Sequence, residues 1–385
     1  MKATKLSTLA LMPSAIAAQN LTQLLANTTE LSSLNALLSS YPAIASSLAN
    51  VSNVTILAPS NAALETFTNS SSFHALTSSG NQSIADLLSY HILHGEYYAD
   101  NITDTPAFIS TYLNDTAFTN VTSGQVVEAI KQDNKTYFYS GLLANSTVTR
   151  TDLNFTGGVL HIIDKVLTVP LNVSSSAAAA GLTAVVGALQ AQHLTQPLDD
   201  AKNVTIFAPS NSAFQAIGSA LGNFTTNQLT DILNYHVING TVAYSTGLKN
   251  DTQYVAAGGQ NLTVRIENGS IFVDSARVIT PNLLVANGVV HVIDNVLNPN
   301  NTSAAPNATA TSQPPAFSGA SSASNIPFTS GVTATPTATG TGAGAGAKVT
   351  GTSTSTAAAM PMRTGGIGAA MVFGAGAALL NADVF

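Results

Sequence analysis

Residues 53–67 read NVTILAPSNAALETF, and residues 203–217 read NVTIFAPSNSAFQAI. Each stretch has a short apolar run with β-branched residues, then Pro-Ser, then apolar residues at helical spacing. Such a run is typical of a strand, and Ser is a favoured N-cap of a helix. The two stretches therefore predict the same strand, turn and helix at two places in the chain.

Two further pairs of segments match in the same order. Residues 86–95 (DLLSYHILHG) match residues 231–240 (DILNYHVING), and residues 157–167 (GGVLHIIDKVL) match residues 287–297 (NGVVHVIDNVL). Three matches in one order indicate a duplicated domain. The offsets are 150, 145 and 130 residues, so the first copy is longer. The extra length is expected in surface loops.

The second and third pairs predict a helix and a buried strand. His91 and His236 each extend an apolar stripe at helical spacing. His161 and His291 each lie in the middle of a strand with apolar neighbours on both faces, which predicts burial on both sides. Asn-Gly at residues 268–269 predicts a type I′ hairpin turn. The domain should combine helices with a largely antiparallel sheet.

The order of these blocks resembles the fasciclin domain family. The segments that carry the resemblance are Thr55 to Asn61, Tyr90-His91 and Gly158 to Asp164 in the first copy, and Thr205 to Asn211, Tyr235-His236 and Gly288 to Asp294 in the second. It implies an α+β fold, a wedge of β-strands flanked by helices, as found in adhesion and matrix proteins. The chain as a whole is similar to fungal or plant fasciclin-like cell-surface proteins.

The resemblance also implies one binding feature that this chain keeps in only one copy. In animal members an Asp ahead of the last block often belongs to a patch tied to integrin binding. The first copy has Asp152 at this position, whereas the second copy has Asn282. Integrin-type recognition is therefore not expected.

Eight residues of the recurring motifs are interpreted as structural: Tyr90, His91, His161, Asp164, Tyr235, His236, His291 and Asp294. A His with an Asp three positions later suggests a base and its orienting carboxylate. However, no G-x-S-x-G nucleophile elbow is present, and a polar residue on an apolar strand face is more often a core group bonded to backbone. We expect no catalytic and no cofactor site.

A metal site is also not expected. His91 and His94 are three residues apart, which would suit a metal if both lay on one helix. The second copy has Asn239 in place of His94, and one imidazole with one amide makes a poor metal site. The chain has no Cys, which excludes thiol catalysis, thiolate zinc sites and disulfides.

The composition points to a surface made soluble by uncharged polar residues. Apolar residues make up 45% of the chain and charged residues only 8%. The net charge of -7 is spread along the chain without a Lys/Arg cluster, so nucleic acid is not expected as a partner.

Acceptor triplets for N-linked glycans are unusually dense. Of 33 Asn residues, 22 stand in an Asn-x-Ser/Thr triplet, which is typical of a secreted glycoprotein. The selected candidates are Asn101, Asn114, Asn120, Asn134, Asn250, Asn268, Asn301 and Asn307. Asn53 and Asn203 lead directly into predicted strands, where a glycan would clash.

The chain is predicted to divide into five parts. Residues 1–18 have a basic start, an apolar run and a small-residue exit, which indicate a cleaved signal peptide. The two domains follow as residues 19–169 and 170–299. Residues 300–360 are rich in Ser, Thr, Pro and Gly and are predicted to form a disordered, O-glycosylated stalk, or a plain flexible linker.

The last part, residues 361–385, is an apolar tail. Small residues at 351–355, a polar spacer and the apolar stretch 367–380 match a signal for a glycosylphosphatidylinositol anchor. A weak single membrane span and a merely apolar tail are the alternative interpretations. The anchor would place the protein at the plasma membrane or in the cell wall.

These observations predict a non-enzymatic adhesion or cell-wall and matrix-associated glycoprotein. Its expected partners are extracellular matrix or cell-wall polymers, or neighbouring surface proteins. The alternative is an extracellular carrier that holds a lipid or other small apolar ligand between helices and sheet. An extracellular hydrolase is the third and least favoured hypothesis.

Overall fold

The computed structural model describes residues 19–49, 51–78, 81–302 and 304–332. The predicted signal peptide, residues 333–360 of the predicted stalk and the predicted anchor signal lie outside the described residues. The described chain forms two domains with matching orders of elements, as the internal repeat predicts.

The first domain opens with three helices and continues with alternating strands and helices. Its elements are α1 (Leu21–Asn27), α2 (Ser32–Ser39), α3 (Pro42–Ala49), β1 (Val54–Pro59), α4 (Asn61–Thr68), α5 (Ser71–Ser78), α6 (Asn81–Tyr90), β2 (Ile92–His94), β3 (Ala107–Ser110), β4 (Val126–Gln132), β5 (Lys135–Tyr139), β6 (Asn145–Phe155) and β7 (Gly158–Ile163). Short 3-10 turns lie at Thr29–Leu31, Ala99–Asn101 and Gly141–Leu143.

The second domain repeats this order. Its elements are α7 (Val173–Ala179), α8 (Thr183–Ala191), α9 (Thr195–Asp200), β8 (Val204–Pro209), α10 (Asn211–Ala216), α11 (Gly218–Leu221), α12 (Thr226–Tyr235), β9 (Val237–Ile238), β10 (Thr252–Val255), β11 (Asn261–Glu267), β12 (Ser270–Val273), β13 (Ala276–Val285) and β14 (Gly288–Ile293).

Each domain contains one seven-stranded sheet. The strand order is β2-β1-β7-β6-β5-β4-β3 in the first domain and β9-β8-β14-β13-β12-β11-β10 in the second. The central pairs β1–β7 and β8–β14 are parallel, and the other described neighbours are antiparallel. In the first domain a bridge between Leu93 and Thr111 nearly closes the sheet. One apolar core lies between each sheet and its helices, and another lies inside the wedge.

The predicted strand, turn and helix units are confirmed at the local level. Both central strands β1 and β8 are buried along their whole length. Ser60 and Ser210 cap the following helices, each accepting a backbone N–H bond of 3.2 Å at its Oγ. The hairpin at residues 268–269 is also confirmed, because Asn268 and Gly269 have φ angles of 51° and 73°.

A pair of hydrogen bonds joins the two domains at Asn203 and Thr122. The side-chain Oδ1 of Asn203 accepts from the backbone N–H of Thr122 at 2.8 Å, and its Nδ2 donates to the Thr122 hydroxyl at 2.7 Å. Because this amide is engaged at the domain interface, a glycan on Asn203 would displace the contact. The geometry gives a second reason to expect Asn203 unmodified.

Two further contacts hold the domains together. Gln125 is fully buried and donates from Nε2 to the carbonyl oxygen of Val285 at 3.1 Å. The rings of Phe108 and Tyr244 stack with centroids 4.2 Å apart. A fully buried polar side chain bonded across an interface fixes the orientation of its two sides. The structure therefore presents the two domains as one docked pair.

Residues 304–332 differ from the expectation of a stalk that starts at residue 300. This segment, called the strap, lies on the second domain, where Phe317 and Phe328 pack against the helical core. Gly187 makes room for it, because a Cβ built there would lie 1.8 Å from the Phe328 carbonyl oxygen. The backbone N–H of Ala323 donates to the carbonyl oxygen of Gln215 at 2.9 Å. The average composition of the segment does not predict this packing, because two widely spaced phenylalanines hold a polar segment in place.

Deletion of residues 304–385 should destabilise the second domain, whereas deletion of residues 333–385 should not. The strap covers apolar core with two Phe side chains, so its loss should cost about 2–4 kcal/mol of unfolding free energy. Denaturant unfolding of the two purified truncations measures the difference. Equal unfolding midpoints would show that the strap contributes nothing to the fold.

Candidate functional site

His91 directly follows α6, and its ring connects this helix to the segment that follows β7. Its Nδ1 donates to the carbonyl oxygen of Leu87 at 2.7 Å, and its Nε2 accepts the backbone N–H of Leu167 at 2.9 Å. The two contacts require the neutral tautomer with the proton on Nδ1. His236 repeats both contacts in the second domain, at 2.7 and 2.9 Å.

His161 lies in the middle of β7 and uses the opposite tautomer. Its Nδ1 accepts the backbone N–H of Asp152 at 3.2 Å, and its Nε2 donates to the carbonyl oxygen of Tyr97 at 2.7 Å. His291 repeats both contacts in the second domain, at 3.3 and 2.9 Å. Each ring therefore joins the last strand of its domain to the loop that holds Tyr97 or Ala243.

Burial keeps all four imidazole rings neutral. Loss of solvent lowers the pKa of His91, His236 and His291 to about 4 and also lowers the pKa of His161. Asp152 has a carboxylate oxygen 4.0 Å from the Nδ1 of His161. This contact is no ion pair, because that nitrogen accepts a backbone N–H bond and carries no proton. A neutral ring with both nitrogens engaged has no free lone pair for proton abstraction.

The suggested pairing of each strand histidine with the Asp three residues later does not form. Asp164 accepts the backbone N–H of Thr147 at 2.7 Å, and Asp294 accepts that of Arg277 at 2.8 Å. Residues three apart on a strand point to opposite faces, which separates the His from the Asp. The two carboxylates instead fix the neighbouring antiparallel strand.

The two motif tyrosines are fully buried and bonded within their own domains. The hydroxyl of Tyr90 donates to the carbonyl oxygen of Val126 at 2.9 Å. The hydroxyl of Tyr235 lies 2.7 Å from a carboxylate oxygen of Asp274, whose pKa is raised by burial. Sequence reasoning missed Asp274, because nothing in the first copy's motifs marks its counterpart.

Asp152 and Asn282 occupy the same place in the two domains despite their different charge. Both have positive φ angles, 60° and 62°, and both side chains accept a backbone N–H from a loop, that of Ala99 or Ser245. Asn282 is almost fully buried, whereas the Asp152 side chain is 34% exposed. Burial of an unpaired charge is costly, which accounts for the neutral amide in the second copy.

The structure separates the two histidines of the possible metal pair. His91 has both ring nitrogens bonded, and His94 is exposed on β2 with its ring stacked 4.0 Å from that of Tyr112. Across the ranges that the structure describes, no three His, Asp or Glu side chains come close enough to hold a metal ion. Among the described helices, none has the length and apolarity needed to cross a membrane.

Most of the selected glycan acceptors lie on the surface. The exposed ones are Asn101, Asn114, Asn134, Asn250, Asn268, Asn301 and Asn307, and Asn120 is half-buried beside the domain interface. Asn268 stands at the tip of a hairpin, and the hydroxyl of Thr309 bonds the amide oxygen of Asn307 within its own triplet at 2.8 Å. Occupancy of these acceptors stays a prediction.

Two apolar cavities lie beneath the helices. The first has a volume of about 30 Å³ and is lined by residues that include Leu34, Ile56 and His91. The second, in the other domain, has a volume of about 130 Å³ and opens beside Leu198 and Leu233. Pockets that enclose drug-sized ligands usually measure about 300–1,000 Å³.

Replacement of His161 by Ala should destabilise the first domain by about 1–3 kcal/mol. The change leaves the backbone N–H of Asp152 and the carbonyl of Tyr97 without their partner, and it opens a small cavity. Thermal unfolding of the purified variant measures the effect. His94→Ala is the comparison variant, since it removes an exposed ring that stacks on Tyr112, and its loss should be smaller. An equal loss in both variants would argue against the bonds of His161 as the cause.

Comparison with known proteins agrees with the fold. The fasciclin domain matches residues 29–170 and 180–299. A fasciclin-like arabinogalactan protein of Arthroderma benhamiae is 40% identical over 304 residues, which cover 79% of this chain and 72% of that protein. Fasciclin-like arabinogalactan protein elcF of Phaeosphaeria nodorum is 29% identical over 76% of this chain and 92% of its own length.

Among solved structures, a FAS1 domain pair from the insect cell adhesion molecule fasciclin I matches 68% of this chain and 94% of its own. Its sequence identity is 20% and its TM-score is 0.34. The sheet order, the two matched domains and the four neutral histidines define a tandem α+β protein with a recurring structural motif. The chain belongs to the fasciclin domain family.

Proposed function

We propose that this chain is a non-enzymatic glycoprotein of the cell surface that acts in adhesion or in association with the cell wall or matrix. The observation that carries the proposal is the bonding of His91, His161, His236 and His291. Each has both ring nitrogens bonded to backbone groups of its own domain. The recurring motif then serves the fold, and the exposed loops and glycans are left to bind partners.

The relatives and the surface support the glycoprotein part of the proposal. Two relatives carry the name fasciclin-like arabinogalactan protein, which denotes a carbohydrate-bearing protein. The acceptor triplets are dense, and most of the selected acceptors are exposed. Partners of the proposed surface are matrix or cell-wall polymers, or neighbouring surface proteins.

Attachment to the membrane through a lipid is the second part of the proposal. Phosphatidylinositol-specific phospholipase C should release the protein from membranes, because the apolar tail would be replaced by a lipid anchor. An acylated anchor resists this enzyme, so the peptide of residues 364–385 is sought by mass spectrometry as well. Retention in membranes together with an intact tail peptide would contradict the anchor and favour a single span.

Loss of the chain from the cells that make it should reduce their attachment to matrix or wall material. Re-expression of the full chain should restore attachment, whereas a chain that ends at residue 360 should be secreted without restoring it. This truncation keeps both domains and removes only the proposed anchor signal. Unchanged attachment after loss of the chain would contradict the adhesion proposal.

The carrier hypothesis is less well supported. The two cavities, of about 30 and about 130 Å³, are small for a lipid chain. Solvent extraction of natively purified protein, followed by mass spectrometry, separates the two functions. A lipid recovered in equal amount to the protein would favour the carrier, and its absence together with lost attachment on deletion would favour adhesion.

A further inference from the structure

The apolar cleft on the second domain opens where α9 faces β9. Its walls include Leu198, Leu233 and Val237, and Asn239 and Ala257 also line it. Asn239 is exposed, so it stands at the mouth of the cleft. The volume is about 130 Å³, which is too large to be a simple gap between side chains.

The first domain covers the equivalent place with two rings. Val237 and Ile92 are counterparts, and each carbonyl oxygen accepts a backbone N–H bond, from Ala257 in one domain and from Tyr112 in the other. Tyr112 packs against the helical core of its domain and stacks on His94.

The second domain lacks both rings of this cover. Ala257 replaces the tyrosine, and Asn239 replaces the histidine. The cavity beside Ile92 in the first domain measures only about 30 Å³. The larger cleft therefore coincides with the missing aromatic pair.

Asn239 is itself a glycan acceptor. Asn239-Gly240-Thr241 is an acceptor triplet, and all three residues are exposed. The Thr205 hydroxyl donates to the backbone carbonyl of Thr241 and accepts the backbone N–H of Ala243, so the Thr241 side chain plays no part in these contacts. The acceptor at residue 203 differs, because Thr205 in its triplet is fully buried.

We propose that Asn239 carries an N-linked glycan whose first sugar covers the apolar cleft. The sugar takes the place that Tyr112 and His94 fill in the first domain. Its ring face and acetamido methyl group are apolar and can lie on the leucines, while its hydroxyl groups face water. The cleft suits one sugar better than a lipid chain, because its volume is below that of ordinary ligand pockets.

The modification is a group transfer from a lipid-linked oligosaccharide diphosphate. The amide nitrogen of Asn239 forms a bond to the first sugar's anomeric carbon, the bond from that carbon to the diphosphate oxygen breaks, and one amide proton is released. The lipid diphosphate is the leaving group, and no oxidant or reductant takes part. The inference rests on the proposed glycoprotein function and adds a structural role for one glycan.

The test compares Thr241→Ala with Thr241→Ser in the full chain, secreted from cells that attach N-glycans. Thr241→Ala removes the acceptor triplet and leaves Asn239 intact, whereas Thr241→Ser keeps the triplet. Glycopeptide mass spectrometry should find Asn239 occupied in the wild type and in Thr241→Ser only. Thr241→Ala should bind an apolar fluorescent dye at least twofold more strongly, and its Tm should fall by about 3 °C.

Two further measurements identify what covers the cleft. Addition of Ala257→Tyr to Thr241→Ala restores a ring, and dye binding should return to the wild-type level. Trimming of the wild-type glycans to one sugar by an endoglycosidase should leave dye binding unchanged. A rise after trimming would overturn the assignment to the first sugar.

Three other results would also overturn the proposal. One is an unmodified Asn239 in a chain that carries a glycan at Asn268. The second is equal dye binding by Thr241→Ala and Thr241→Ser. The third is a chain in which no acceptor carries a glycan, which would overturn the glycoprotein function together with this inference. Occupancy at Asn268 distinguishes this failure from the failure of the inference alone.

Discussion

Replacement of Gly288 by Ala should destabilise the second domain by about 4 kcal/mol or more, the largest effect expected from one small side chain. A Cβ built at Gly288 would lie 1.9 Å from the carbonyl oxygen of Val204. These two residues are opposite each other in the parallel pair at the centre of the sheet. Neither strand can move aside without breaking that pair. Denaturant unfolding measures the loss.

Gly222→Ala is the matched control. Nothing lies within 4 Å of a Cβ built at this position, and its φ of -68° suits any residue. The control should leave stability unchanged or raise it slightly. Gly158→Ala should reproduce the large loss in the first domain, because its Cβ would lie 2.0 Å from the carbonyl oxygen of Val54. Equal midpoints for Gly288→Ala and Gly222→Ala would refute the explanation.

Acidification from pH 6.5 to about pH 4 should destabilise both domains. The pKa of His91, His236 and His291 is about 4 in the folded chain and about 6.5 when unfolded. Above pH 6.5 these rings are neutral in both states, and their contribution to stability is complete. As the pH falls through this window, the unfolded chain takes up protons that the folded chain excludes. Each ring should cost about 3 kcal/mol by pH 4.

Buried carboxyl groups act in the opposite direction. Burial raises the pKa of Asp199, Asp274 and Asp294, so the folded second domain takes up these protons before the unfolded chain does. Their contribution to stability increases as the pH falls, and it offsets part of the histidine loss. Thermal unfolding between pH 7 and pH 4 measures the net change of stability with pH. A midpoint that stays constant over this range would contradict neutral buried histidines.

The repeat made the domain fold predictable. Residues 53–67 and 203–217 each predict a strand, a turn and a helix, and the agreement of the two copies strengthens the prediction. The strand histidines were readable as core groups from their apolar neighbours alone. Their bonding partners were not, because His161 and Tyr97 are 64 residues apart and the loop that holds Tyr97 has no periodic pattern.

Contacts between the domains and on their surface were beyond the reach of sequence. Asn203 and Thr122 are 81 residues apart, and each belongs to a triplet that reads as a glycan acceptor. The strap looks like a linker because its composition is polar, yet Phe317 and Phe328 hold it on the second domain. The sequence did not show that Ala257 is the counterpart of Tyr112. The structure shows it, because their backbone N–H groups bond the counterpart residues Val237 and Ile92.

A structural role for the motif histidines is tested by cell attachment per folded surface copy, measured for a chain with both His161→Ala and His291→Ala. We expect fewer folded copies at the surface, because both domains are weakened, and unchanged attachment for each copy that remains. Folded copies are counted by an antibody that recognises native protein only. A fully stable variant that no longer supports attachment, or that loses a measurable enzymatic turnover, would show that these histidines have a functional rather than a structural role.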